Sequence, residues 1–125
     1  MTTAESWRGR PDHPTVTPRI VTEDPKGLVG FLHRVFGADG EFQEDRPVEL
    51  RFGDSIVMVC DGGGEREMVS GFLIVYVDDA DAVHERALAN GATSVESPVD
   101  KAWGDRRAMV RDGWGNFWQL STFLG

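Results

Sequence analysis

The chain carries one set of local signals twice. Asp24-Pro25 opens an apolar run that stops at Gly37, and Asp79-Ala80 opens another that stops at Asn90-Gly91, so the starts lie 55 residues apart and the stops 54. Between them the first run places Leu28, Phe31, Leu32, Val35 and Phe36 at helical spacing, which predicts a helix with one apolar face. Aspartate before proline is a helix start, and glycine after the last apolar residue is a stop. In the second run Asp79 or Asp81 is the cap, with Ala80, Val83, Ala87 and Leu88 on the buried face.

β-rich segments surround both helices. In the first half they fall at 15–22, 40–44, 48–52 and 55–60, with Gly53-Asp54 as a two-residue hairpin turn. In the second they fall at 72–77, 93–97, 107–111 and 117–123, with Asp112-Gly113-Trp114-Gly115-Asn116 as the last turn. The order is βαβββ, a glycine-rich linker, then βαβββ. The expected boundaries are a mobile tail at 1–15, modules at 16–61 and 71–125, and a linker at 62–70, all within one domain. Neither half can bury its sheet alone, so the two must share a core. Each sheet gives one face to its helix and leaves the other for a cavity or a partner.

Composition removes several functions. A formal net charge of −8 repels phosphate backbones, which argues against nucleic acid and suits a cationic small ligand. No apolar run approaches the ~20 residues of a membrane span. The N-terminus has no apolar signal region, so the cytoplasm is the expected compartment. Cys60 is the only cysteine, which rules out an internal disulfide and a cysteine-rich zinc site. It reads as a small buried hydrophobe.

Strand parity divides the side chains between faces. If Gly53-Asp54 is a two-residue loop, Phe52 pairs with Ser55, Arg51 with Ile56, Leu50 with Val57 and Glu49 with Met58. Val48, Leu50, Val57 and Val59 then face the helix, and Glu49, Arg51, Ile56 and Met58 face away. In the second half Arg111 pairs with Phe117, Met109 with Gln119 and Arg107 with Ser121. Ala108, Val110, Trp118 and Leu120 then face the helix. Phe72, Ile74 and Tyr76 join the opposite face.

Several stretches, in this order and spacing, resemble a known family. They are Val35-Phe36-Gly37-Ala38, the run LRFGDSIVM from Leu50 to Met58, Val77-Asp78-Asp79-Ala80-Asp81, Asn90-Gly91-Ala92-Thr93, Trp103-Gly104-Asp105-Arg106 and the last turn. The chain is similar to the vicinal oxygen chelate superfamily, which includes glyoxalase I, extradiol dioxygenases and bleomycin-resistance proteins. The resemblance implies an α+β fold. In it, tandem βαβββ modules form a cupped sheet with helices outside, usually as a homodimer. Family enzymes hold a divalent metal in the cup through His or Glu on the first and last strands of each module. Those positions fall here near Thr17, Met58, Phe72 and Gln119, and Pro47 stands where relatives often carry a histidine before Glu49. His13 falls in the tail, and His33 and His84 fall on helices as solvated residues. No metal and no cofactor is expected.

The expected ligand-binding residues are Arg51, Met58, Phe72, Ile74, Trp103, Arg106, Arg107, Met109 and Gln119. Trp103 would stack at the rim on a flat or cationic ligand, and Asp105 and Arg106 would pin that loop as an ion pair. Trp114 is a rim aromatic or a dimer contact. Glu49 is the candidate general base. The leading expectation is a metal-free binding protein of the bleomycin-resistance type, sequestering a small molecule. The alternatives are a glyoxalase-like lyase, isomerase or dioxygenase using Glu49, and an interaction module without a ligand.

Overall fold

The computed structural model describes residues 13–61 and 68–125. Residues 1–12 of the expected tail and 62–67 of the expected linker lie outside the described residues. In chain order the elements are β1 (Arg19–Val21), α1 (Pro25–Phe36), β2 (Val48–Phe52), β3 (Ser55–Cys60), β4 (Phe72–Tyr76), α2 (Ala80–Ala89), β5 (Thr93–Asp100), β6 (Asp105–Arg111) and β7 (Phe117–Phe123).

Both helices begin as their capping residues dictate. The Asp24 carboxylate accepts from Gly27 N at 3.0 Å, and Pro25 occupies the first turn. Gly37, at φ 67°, closes α1 in the left-handed conformation that glycine adopts without strain. Asp79 caps α2 by accepting from Ala82 N at 3.1 Å, which settles the choice between Asp79 and Asp81. Ala80, Val83 and Ala87 are buried, but Leu88 is 38% exposed. His84 takes the inward place instead, hydrogen-bonded to Ser94 Oγ at 2.8 Å, so it is not the solvated residue expected. His33 is half-buried and donates to the Gly40 carbonyl.

The first sheet has the order β1-β3-β2 and the second β4-β7-β6-β5. Strands β1 and β4 pair in parallel with the last strands of their modules, and the other pairings are antiparallel. The hairpin registers match the parity argument residue for residue, including Glu49↔Met58 and Met109↔Gln119.

Two strands depart from expectation. No strand forms over 40–44; only Asp39 bridges to Arg51, through bonds of 3.0 and 2.8 Å. Gly40 follows at φ 141°, where a Cβ would sit 2.3 Å from Glu49 O, so the backbone makes a close approach there and turns away. Strand β5 runs on through Pro98 to Asp100. It is an edge strand whose register shifts between Ser94 and Glu96 and again between Glu96 and Val99, which accommodates the proline.

The helix-facing sides of both sheets meet both helices in one core that includes Leu28, Phe31, Leu50, Val59, Val110 and Trp118. Trp118 is fully buried and packs on Phe36 and Phe52, at ring-centroid distances of 5.2 and 5.9 Å, so it joins the second module to the first. The last turn makes the other joint. Trp114 packs on Phe31 at 5.7 Å and donates from its indole to Asp24 at 3.0 Å. It is therefore a joint between modules, which neither expected role described. Asn116 Oδ1 accepts from Gly71 N at 2.8 Å and fixes the start of β4.

Candidate functional site

The faces turned away from the helices hold the site. In the first module Glu49 on β2 stands opposite Met58 on β3, with Ile56 buried beside them. Residues before β1 cross this face. His13, Pro14 and Thr17 join Glu49, Ile56 and Met58 around a pocket of about 320 Å³. His13 Nε2 lies 2.7 Å from Glu49 Oε2, with both side chains half-buried. His13, expected in a tail, is a pocket residue. Sequence reasoning missed it because Pro14 and Pro18 discourage a strand. Carrying the two-residue period back from Thr17 reaches it.

A larger cleft of about 570 Å³ runs between the modules, bounded by Pro14, Val16 and Pro18 on one side and by Ile74 and Tyr76 on the other. Phe52 and Val57 lie deeper in it.

In the second module Phe72, Ile74 and Tyr76 stand in a row along β4, at 60%, 57% and 63% exposure. Phe72 stacks on Phe117 at 5.8 Å, and the Arg111 guanidinium lies 5.9 Å from the Phe117 ring centroid. Gln119 and Met109 are half-buried neighbours across β7 and β6. The Tyr76 hydroxyl donates to the buried Asp105 carboxylate at 2.9 Å, and this bond holds the phenol pKa above its ordinary value. Ser121 Oγ is buried and has no hydrogen-bond partner among the described residues.

At the rim, Arg107 makes two hydrogen bonds to Glu96, at 2.7 and 2.9 Å, and lies 5.6 Å from the Trp103 ring centroid. Lys101 approaches the same carboxylate at 3.5 Å. The hydrogen bond from Arg107 lowers the Glu96 pKa, so the pair survives below the ordinary carboxylate range and is lost only on further acidification. Trp103 remains 64% exposed above a fixed guanidinium, so one face of the indole is available for stacking.

Arg106 belongs elsewhere. It alternates with Arg107 onto the helix side of β6. There it makes two bonds to Asp81 of α2, at 2.6 and 3.1 Å, and one to Asp100 at 2.9 Å. The expected ion pair with Asp105 does not form, because Asp105 faces the cup and accepts from Tyr76. Arg51 is exposed at the edge of the first module's face and bridges through its backbone to Asp39.

The pocket brings together two side chains of metal-ligating type among the described residues, His13 and Glu49. Among the described residues no three His, Cys, Asp or Glu side chains gather around a common point. The pocket offers His13 and Glu49 together with a thioether and a threonine hydroxyl. A structural or catalytic zinc site takes at least three protein N, S or carboxylate ligands. No helix is long and apolar enough to cross a membrane.

Comparison with known proteins agrees with this geometry. The uncharacterized protein Mb0911c of Mycobacterium bovis is 29% identical over 124 aligned positions, covering 86% of this chain and 82% of that one. TioX from Micromonospora sp. ML1 is 31% identical, with a TM-score of 0.73 over 87% of this chain and 98% of TioX. A glyoxalase/bleomycin resistance protein/dioxygenase family enzyme from Burkholderia phytofirmans PsJN is 20% identical and shares the fold, with a TM-score of 0.74 over 86% of this chain and 97% of that one. The family model for this group matches residues 10–120. With tandem modules, a shared core and a cupped face in place, the chain belongs to the Glyoxalase/Bleomycin resistance protein/Dioxygenase superfamily.

Proposed function

We propose that this protein binds and sequesters a small apolar or aromatic molecule in its cup without a metal, and that two copies complete the cup. The observation that carries this reading is the makeup of the cup faces. They present Phe72, Ile74, Met58, Met109 and Trp103 with a few fixed polar groups, and they do not gather a metal-binding set among the described residues. Apolar walls with sparse polar groups are the general form of a small-molecule site. The row of exposed apolar side chains on β4 is the kind of surface that a second chain covers. We extend this reading to a resistance role in the cytoplasm, by analogy with the bleomycin resistance proteins that the family's description includes.

A second reading is favoured by one observation. A carboxylate paired with an imidazole, as Glu49 is with His13, is an acid–base pair, and a metal-free lyase or isomerase would use Glu49 as its base.

The test is a titration of EDTA-treated, desalted protein with berberine, a planar aromatic cation, followed by tryptophan fluorescence. Saturable quenching is expected, unchanged by added Zn²⁺ or Ni²⁺ and reduced at least ~3-fold in affinity by Trp103→Ala. Binding that appears only after metal is added, or chemical conversion of the bound compound, would contradict the reading.

A further inference from the structure

Ser121 stands apart from the other buried polar side chains, because its hydroxyl meets no hydrogen-bond partner among the described residues. It is 1% exposed and lies on the cup face of β7, since its neighbours Leu120 and Trp118 alternate into the core. Its cross-strand partners are Tyr76 on β4 and Arg107 on β6. The Tyr76 hydroxyl reaches past it to Asp105 on β6, at 2.9 Å. Strands β4 and β6 flank β7 and so lie two spacings apart, about 9–10 Å. The phenol therefore crosses β7 beside Ser121 and covers it. We propose that Tyr76 is a movable cover over a hydroxyl-binding subsite, in which Ser121 donates to, and Asp105 accepts from, the phenolic hydroxyl of a hydroxyaryl ligand. This site rests on the sequestration reading above and names the group that the cup recognises.

Donors and acceptors set the chemistry. A buried hydroxyl without a partner is a standing cost, which a ligand atom that accepts from Ser121 Oγ removes. Asp105 is 6% exposed and, as a carboxylate, only accepts. A group that serves both has to accept from one neighbour and donate to the other, as a hydroxyl does. An ammonium has no lone pair for the Ser121 O–H, and a ligand carboxylate meets the like charge of Asp105. Arg107 does not invite an anion either, because Glu96 already takes two of its N–H groups, at 2.7 and 2.9 Å. That a phenol reaches Asp105 is shown by Tyr76 itself. Phe123, opposite Asp105 on the same face and 71% exposed, offers an aromatic surface to the body of the ligand.

The cover has a second place to go. Strand β4 is the edge of its sheet, and Tyr76 also lines the cleft of about 570 Å³ whose opposite wall is Pro14, Val16 and Pro18. Rotation about its Cα–Cβ bond carries the ring from β7 toward that cleft and releases the bond to Asp105. The ligand's hydroxyl returns that bond and adds one from Ser121. The fraction of molecules with the cover open then scales the apparent affinity.

Tyr76 is the only tyrosine of the chain, so a ring-¹³C tyrosine label reports the cover alone. The probes are 6-fluoro-2-naphthol and its methyl ether, which accepts a hydrogen bond but cannot donate one, both titrated by ¹⁹F NMR. The naphthol is expected to bind at least ~10-fold tighter than the ether and to shift the Tyr76 resonance at saturation. Ser121→Ala should weaken the naphthol at least ~5-fold without lowering Tm, since the lost hydroxyl bonds to no described residue. Tyr76→Phe should tighten it about 3–10-fold, because the cover loses its hold on Asp105. Circular dichroism shows whether each variant keeps its fold. Equal affinity for naphthol and ether would overturn the assignment. So would a Tyr76 resonance that saturating naphthol leaves in place, a Ser121→Ala variant with full naphthol affinity, or a folded Tyr76→Phe variant that loses it. Any of these with berberine still binding leaves the sequestration reading standing. Loss of saturable binding for every probe, berberine included, overturns both.

Discussion

Replacing Asp112 with alanine is expected to cost about 3–5 kcal/mol of folding stability, a large share of the 5–15 kcal/mol typical of a domain. Asp112 is 5% exposed and accepts four kinds of donor at once: the backbone N–H of Trp114, the backbone and side-chain N–H of Asn116, and the Trp118 indole at 2.8 Å. Without the carboxylate, the indole of a fully buried tryptophan and the amide of a fully buried asparagine lose their acceptor together. The damage spreads because this turn is the joint between modules. Trp118 reaches Phe36 and Phe52, Trp114 reaches Asp24, and Asn116 holds Gly71. Urea unfolding followed by circular dichroism measures the loss. Asp112→Asn keeps one acceptor oxygen and should fall between the two. A loss under ~1 kcal/mol for the alanine variant would show that the joint is held by apolar packing alone.

Changing Ile74 to aspartate should leave the fold intact and weaken self-association by roughly 100-fold or more. The side chain is 57% exposed in the single chain, so a carboxylate there remains solvated when the protein is monomeric. In a dimer built on β4 it would lose its solvation beside Phe72 and Tyr76, and it adds to a net charge of −8 that already repels the partner. Analytical ultracentrifugation across a concentration series reads the effect. An unchanged sedimentation profile with unchanged circular dichroism would remove β4 from the interface and leave its aromatic row to the ligand alone.

The readable parts of this fold are those decided by a few neighbouring residues. Asp24-Pro25 and Gly37 bound α1 because they solve the capping problem locally. Gly53-Asp54 fixes the β2–β3 register, and with it the faces of Glu49, Met58, Leu50 and Val57, because a two-residue turn permits one alternation. What was illegible depended on distant partners. Residues 40–44 look β-forming, but the Gly40 carbonyl is taken by His33 and the backbone of Glu49 leaves no room for a Cβ. His84 turns inward because Ser94, on another strand, offers a hydroxyl. Arg106 is the exception: it sits one residue from the cup-facing Arg107, so strand parity in the sequence already sends it to the helix side, where Asp81 and Asp100 hold it. His13 is the most consequential case. Read from the sequence it falls in the tail, and only the course of the chain before β1 brings it to Glu49.

The acceptor chemistry of the cup, the metal question and the second copy meet in a single measurement. Native mass spectrometry of protein purified gently without chelators reports subunit number, bound metal and any co-purified small molecule together. The expected result is a species of twice the 13.8 kDa chain mass, free of stoichiometric metal, with any extra mass belonging to an organic compound released on activation. One metal ion per chain, or a monomer at every concentration, would contradict the account of a metal-free cup completed by two copies.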